Sequence, residues 1–129
     1  MSTRTLKARA KSRKTKLAER KEVIVDAIQD KKGEEVVSLD LRKTGDAVAD
    51  IFIICHATAK VQVKAIADNV DRKMKEVLGE NTWHSEGFEN LEWLILDYID
   101  VVVHIFLKEK REFYQLEELW QDAERTDYE

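Results

Sequence analysis

The sequence contains no proline, only four glycines and a single cysteine among its 129 residues. One cysteine excludes a framework of internal disulfides and predicts a reducing compartment. Cys55 lies within an apolar run, where its thiol is expected to stay protonated and unreactive. No run approaches about 18 consecutive apolar residues, and the N-terminus lacks the apolar segment of a secretory signal. We therefore expect a soluble, cytoplasmic protein.

Patterns that carry enzyme chemistry are also missing. The sequence has neither of the glycine-rich patterns that cradle phosphate groups, and it has no nucleophile elbow. His84 and His104 could converge across neighbouring strands, but hydrogen-bonded sheet histidines fit the pattern better. Asp97 and Asp100 flank a turn, where aspartates commonly bond nearby backbone amides. We therefore predict no catalytic residue, no cofactor and no metal site.

Charge is distributed unevenly along the chain. The net charge of −4 combines +7 over the first 22 residues (nine basic, two acidic) with −11 over the remainder. Composition predicts a basic, disordered arm over residues 1–15 and one domain over residues 16–129. The arm is either a solvated tail or a contact for phosphate, such as that of RNA. Its composition also resembles an organellar transit peptide, although a bacterial cytosolic protein with a basic tail is the favoured interpretation.

Hydrophobic periodicity predicts alternating helices and strands. Helices are expected over about 16–31, 60–78 and 109–124, with Thr58 capping the second helix and Gly79 ending it. The last helix should bury the apolar residues that recur at helical spacing, namely Phe113, Leu116, Leu119, Trp120 and Ala123.

Apolar runs between these helices predict the strands. They lie at 36–41, 50–56, 82–85, 92–97 and 101–107. The last two should form an antiparallel hairpin, because the turn between them is too short for a parallel crossover. The class is α+β: one domain with a mixed sheet of about five strands flanked by helices.

A set of short motifs in the last third resembles a known family. They are Trp93, Leu96-Asp97-Tyr98, Asp100, Val103-His104, Phe106, Arg111, Tyr114, Leu116-Glu117 and Leu119-Trp120. Upstream matches include Leu39-Asp40, Asp50-Ile51-Phe52-Ile53, Gln62-Val63, Ala65-Ile66-Ala67-Asp68 and Glu86-Gly87. Together they resemble the ribosomal silencing factor family (RsfS, the Iojap-related proteins) over about residues 20–123.

The resemblance implies a nucleotidyltransferase-like fold and a specific partner. Members bind the fourteenth protein of the large ribosomal subunit, block joining of the small subunit and repress translation under nutrient limitation. Relatives in organelles are also linked to large-subunit maturation, and members often form homodimers. The implied protein-binding residues are Trp93, Leu96, Asp97 and Tyr98, with Glu86 and Gly87 as neighbours in the motif.

Two positions depart from the family pattern, and two other functions stay open. Ile99 stands where many members have glycine, and Ala59-Lys60-Val61 replaces a Ser-Arg segment. One alternative is a ribosome-assembly or RNA-binding protein of the large subunit, in which the arm would be the main contact. The other is a divergent nucleotidyltransferase-like enzyme.

Overall fold

The computed structural model describes residues 3–45 and 49–128, and the side chains from residue 16 onward. The helices are α1 (Thr3–Asp30), α2 (Lys60–Leu78), α3 (Lys108–Tyr114) and α4 (Leu116–Leu119). The strands are β1 (Glu34–Asp40), β2 (Ile51–Ala57), β3 (His84–Glu86), β4 (Trp93–Asp97), β5 (Val101–Leu107) and β6 (Glu124–Tyr128). They form one mixed sheet in the order β3-β4-β5-β2-β1-β6.

The centre of the sheet is its only parallel pair within the described ranges. β2 pairs with β5 in parallel, whereas every other described pair of neighbouring strands is antiparallel. All seven residues of β2 are buried, as its apolar sequence predicts. β4 and β5 form the predicted antiparallel hairpin. The α+β class and the mixed sheet are confirmed.

Helices cover the two faces of the sheet unequally. α1 and α2 pack on one face, where side chains of β2, β4 and β5 meet Ile24, Ile28 and Ile66 in the larger core. A smaller core on the other face contains Leu39, Phe52, Phe106 and Leu116, covered in part by α3, α4 and the segment before β6. Alternate residues of one strand therefore enter two different cores.

The predicted helix over 109–124 is wrong. Gln115 adopts φ +46° and separates α3 from α4, and the chain then enters β6, the strand that raises the total from about five to six. Leu116 is buried and Trp120 and Ala123 pack against the smaller core, but Phe113 and Leu119 are 76% and 73% exposed. Helical spacing misplaced these two side chains because it assumed one continuous helix.

The first two helices agree better with the sequence. α1 includes the predicted helix and begins earlier, at Thr3. The division into an arm over 1–15 and a domain over 16–129 stays a prediction. α2 has the predicted bounds, and Gly79 ends it at φ +66°, but its N-cap is Ala59 rather than Thr58. None of the helices described is long and apolar enough to cross a membrane.

Candidate protein-binding surface

Strand register places three of the predicted residues on one face of the sheet. Glu86 pairs with Ile95, and Trp93 and Asp97 lie two residues to either side of Ile95 on β4. Directly paired residues share a face, as do residues two apart on one strand. This is the face of the smaller core, and Glu86 is exposed while Trp93, Ile95 and Asp97 are half-buried. The register therefore assembles them into one surface.

Leu96 and Tyr98 belong to the opposite side of the molecule. Leu96 is 1% exposed and Tyr98 is 4% exposed, and both lie in the larger core beneath the helices. The Tyr98 hydroxyl donates a hydrogen bond to Asp71 Oδ1 on α2 at 3.1 Å. Burial, followed by the negative charge of Asp71, raises the pKa of Tyr98. In this structure the two residues hold the hairpin against α2 and do not present a surface to a partner.

Trp93 begins a row of aromatic side chains that ends in solvent. Its ring stacks on Phe106, with centroids 5.0 Å apart, and contacts Tyr114 at 4.9 Å. Phe113 lies edge-to-face against Tyr114 at 5.1 Å. Tyr114 is 46% exposed and Phe113 is the most exposed member of the row. We call the surface formed by Glu86, Trp93, Ile95, Asp97, Phe113 and Tyr114 the open patch.

A hydrogen bond to His104 fixes the orientation of the Trp93 indole. The indole Nε1–H, which can only donate, donates to His104 Nδ1 at 3.1 Å. The hydrogen of the neutral imidazole therefore lies on Nε2, which is buried without a hydrogen-bond partner among the described residues. Burial lowers the pKa of His104 to about 4, so the ring stays a neutral acceptor at physiological pH. His104 is the hydrogen-bonded sheet histidine that its sequence context favours.

Gly87 allows the chain to pass close to Trp93. Its φ is +94°, and a Cβ atom there would lie 2.1 Å from the carbonyl oxygen of Trp93. Leu91 N–H donates to the Gly87 carbonyl oxygen at 2.9 Å, which closes the loop between β3 and β4. Gly87 thus shapes the open patch through the backbone and contributes no side chain of its own.

The half of the sheet that carries the open patch is acidic. From His84 to Leu107, the segment that contains β3, β4 and β5, the sequence has five carboxylates (Glu86, Glu89, Glu92, Asp97 and Asp100) and no lysine or arginine, and Asp100 pairs with Arg20 of α1 at 3.2 Å. Asp97 Oδ1 accepts a hydrogen bond from the Ile99 amide at 2.7 Å, as predicted for an aspartate at this turn. Lys60 and Lys110 approach Glu92 at 3.9 and 3.7 Å from outside this segment. A surface of this composition suits a basic partner.

Sequence reasoning missed part of this surface. It assigned Phe113, which is exposed in the open patch, to the core. The positive φ at Gln115 separates the exposed aromatic residues of α3 from Leu116, and glutamine carries no strong signal for that conformation. The exposure of Phe113 beside Tyr114 can be recognised only once the break between α3 and α4 is known.

The cysteine and the histidines in the described ranges are buried or hydrogen-bonded within the fold. Burial raises the pKa of the Cys55 thiol to about 12, which keeps it protonated. No group of three or more His, Cys, Asp or Glu side chains in the described ranges is arranged to hold a metal ion. His84 instead approaches Glu86 at 2.9 Å, and His56 contacts Arg111 at 3.0 Å. These histidines serve hydrogen bonds within the fold.

An exposed aromatic row on an acidic sheet face is typical of a protein-binding module. The family model described as "Ribosomal silencing factor during starvation" matches residues 14–129. The ribosomal silencing factor of Halalkalibacterium halodurans is 40% identical over 108 residues, which cover 84% of this chain and 91% of that protein. The Bacillus subtilis factor is 41% identical over 104 residues, covering 78% and 84% of the two chains.

A solved structure agrees with these matches. The crystal structure of a protein from Chromobacterium violaceum superposes with a TM-score of 0.76 at 35% identity, covering 81% of this chain and 85% of that one. The chain belongs to the ribosomal silencing factor family.

Proposed function

We propose that this protein binds the large ribosomal subunit through the open patch and sterically blocks joining of the small subunit. The partner is the fourteenth protein of the large subunit, and the result is repression of translation in the cytoplasm when nutrients are scarce. The proposal rests on the aromatic row Trp93–Tyr114–Phe113, which reaches solvent on a half-sheet that lacks lysine and arginine. Steric blocking needs no catalytic group.

The open patch has the composition of an interface. Aromatic side chains supply most of the binding energy in protein complexes, and a rim of charge directs the approach of the partner. Glu86 and Asp97 give this rim a negative sign, which complements the basic surface typical of ribosomal proteins. A standard interface buries about 800 Å² on each partner, an area within reach of a domain of this size.

A subunit-joining assay with purified particles tests the proposal. Large subunits are incubated with the protein, small subunits are added, and the products are resolved on a sucrose gradient. We expect the protein to sediment with large subunits and to reduce the amount of joined ribosomes. Sedimentation with small subunits, or unchanged joining at saturating protein, would contradict it.

Variants of the aromatic row locate the interface. Phe113→Ala and Trp93→Ala should each weaken large-subunit binding by about thirtyfold, which corresponds to about 2 kcal/mol. Val61→Ala is the matched control, because Val61 is 81% exposed and lies on α2, on the helix-covered side of the sheet. Stability is measured in parallel, since Trp93 also contacts His104 and Phe106. Parental affinity in folded Phe113→Ala and Trp93→Ala proteins would place the interface elsewhere.

A further inference from the structure

Two large apolar side chains are exposed at the corner of the sheet where β4 turns into β5. Trp83, which directly precedes β3, is 70% exposed, and Ile99, in the turn, is 61% exposed. Both bind Asp97 through the backbone, since the Trp83 amide donates to its carbonyl oxygen at 2.9 Å and the Ile99 amide donates to its Oδ1 at 2.7 Å. Asp97 therefore brings two exposed apolar residues to one corner of the sheet. We call Trp83 and Ile99 the edge pair.

Ile99 has a backbone conformation that its side chain disfavours. Its φ is +74°, and a β-branched residue is a genuine outlier in this left-handed region because its Cβ crowds the following carbonyl group. Most of the side chain is in solvent, so little burial within the fold offsets this strain. Strained residues of this kind cluster at functional sites. The conformation of Ile99 therefore indicates a role other than stabilising the fold.

Side-chain contacts join the edge pair to the open patch. The Trp83 ring lies 6.0 Å from the His84 ring, and His84 Nε2 lies 2.9 Å from Glu86 Oε1. His84 also pairs with Asp97 across the two strands, which places it on the same face of the sheet as the open patch. Glu86 and Asp97 both belong to that patch. The edge pair therefore continues the open patch at the corner of β3 and β4.

An interface of ordinary size includes the edge pair. Trp93 and Asp97 are the first and last residues of β4, about 13 Å apart at about 3.3 Å per residue. A contact of about 800 Å² is roughly 30 Å across. A partner whose contact is centred on Ile95 therefore covers Asp97 and the side chains beside it.

We propose that the edge pair is a second apolar contact of the ribosome-binding surface, seated on a protein of the large subunit and separated from the aromatic row by the carboxylates of Glu86 and Asp97. The inference rests on the proposed function, whose interface it extends. The complementary surface carries basic side chains between two apolar contacts, because His84 to Leu107 contains carboxylates and no lysine or arginine. These carboxylates repel phosphate, so RNA is the less suitable partner.

Stability and binding should change in opposite directions at Ile99. Ile99→Gly removes the strain and the apolar side chain together, so the protein should resist urea better while its affinity for purified large subunits falls about three- to fivefold. A purely structural residue would move both quantities in the same direction. Val61→Ala is the matched control, because Val61 is 81% exposed and lies on α2, and its affinity should equal that of the parent.

Trp83→Ala should weaken large-subunit binding at least tenfold without lowering stability, because most of this side chain is already in solvent. Trp83→Phe should stay within about threefold of the parent, since it keeps an aromatic ring. Trp93→Ala is measured alongside and tests the proposed function. Weakened binding by Trp93→Ala, with parental affinity for Trp83→Ala and Ile99→Gly, would overturn the edge pair and leave the proposed function standing. A parent protein that does not bind large subunits would overturn both.

A photo-crosslinker identifies the class of partner that meets Trp83. The full chain carrying Trp83→p-benzoylphenylalanine is bound to purified large subunits and irradiated, and the adducts are treated with ribonuclease. We expect an adduct with a ribosomal protein that survives this treatment, and none from Val61→p-benzoylphenylalanine. An adduct that ribonuclease destroys would assign Trp83 to RNA, and an adduct with a second copy of this chain would assign it to self-association. Either result would overturn the proposal.

Discussion

Replacing Arg111 with methionine should be the most destabilising change outside the apolar cores. Arg111 is 7% exposed, and its guanidinium donates to the Glu35 carbonyl oxygen at 2.7 Å, to Glu117 Oε1 at 3.0 Å and to His56 Nδ1 at 3.0 Å. These acceptors come from β1, β2 and the start of α4. One side chain thus joins the break after α3 to two strands of the sheet.

The expected loss of stability follows from the acceptors that the substitution would leave without a donor. His56 Nδ1 would lose its donor in a buried setting, at about 1 to 3 kcal/mol, and the partly buried Glu35 carbonyl would lose its donor at about 1 kcal/mol. Glu117 has 21% of its side chain exposed and can regain water, so it adds less. We expect a total loss of about 3 to 4 kcal/mol, which lowers the melting temperature by about 10 to 15 °C in a domain of this length.

Urea unfolding followed by circular dichroism measures this loss. Arg111→Lys should lie between the parent and Arg111→Met, because an ammonium keeps the charge but cannot reach three divergent acceptors. Lys110→Met on the same helix is the control, since Lys110 approaches Glu92 only at 3.7 Å, and it should change stability by less than about 0.5 kcal/mol. Arg111→Met within 1 kcal/mol of the parent would refute the role assigned to this contact.

Three further changes test the turn, the loop and the buried histidine. Ile99→Gly should stabilise the fold by about 0.5 to 1 kcal/mol in urea unfolding, because Ile99 has φ +74°, whereas the still-strained Ile99→Ala should not. Gly87→Ala should lower the free energy of unfolding by more than about 2 kcal/mol and alter tryptophan fluorescence. Gly45→Ala, at φ +89° with open space around the residue, should lower it by only about 1 kcal/mol. The pKa of His104 is lowered to about 4, so below pH 6.5 the unfolded chain binds a proton that the folded chain excludes. The stability contributed by His104 is therefore present above pH 6.5, and up to about 3 kcal/mol of it is lost as the pH falls towards 4. His104→Phe should therefore give a shallower decline of stability with acid, and an unchanged slope would contradict this account.

The sequence predicted the parts of the fold that depend on local pattern. The bounds of α2, the buried strand β2 and the hairpin of β4 and β5 all follow from periodicity and short turns. It could not predict β6, because Glu124–Tyr128 is polar and mostly exposed and forms a strand only by pairing with the edge of β1. Long-range pairing of this kind leaves no periodic signal.

The residues predicted to bind a partner have two different structural roles. Trp93, Leu96 and Tyr98 lie on one strand and the turn that follows it. Trp93 belongs to the open patch, whereas Leu96 and Tyr98 enter the larger core on the opposite side of the sheet. A motif records which residues occur together and does not record which of them face solvent. Strand register supplies that distinction, because it groups Trp93 with Glu86 and Asp97 and separates them from Leu96.

The break between α3 and α4 at Gln115 determines which aromatic side chains belong to the open patch. A continuous helix over the predicted 109–124 would carry Phe113 and Leu119 on its core-facing side. The structure instead ends α3 at Tyr114, where Arg111 holds Glu117 in the next helix, and Phe113 stays in solvent beside Tyr114. The Arg111–Glu117 contact therefore acts on the open patch without belonging to it, by fixing where α3 stops and which aromatic side chains remain exposed.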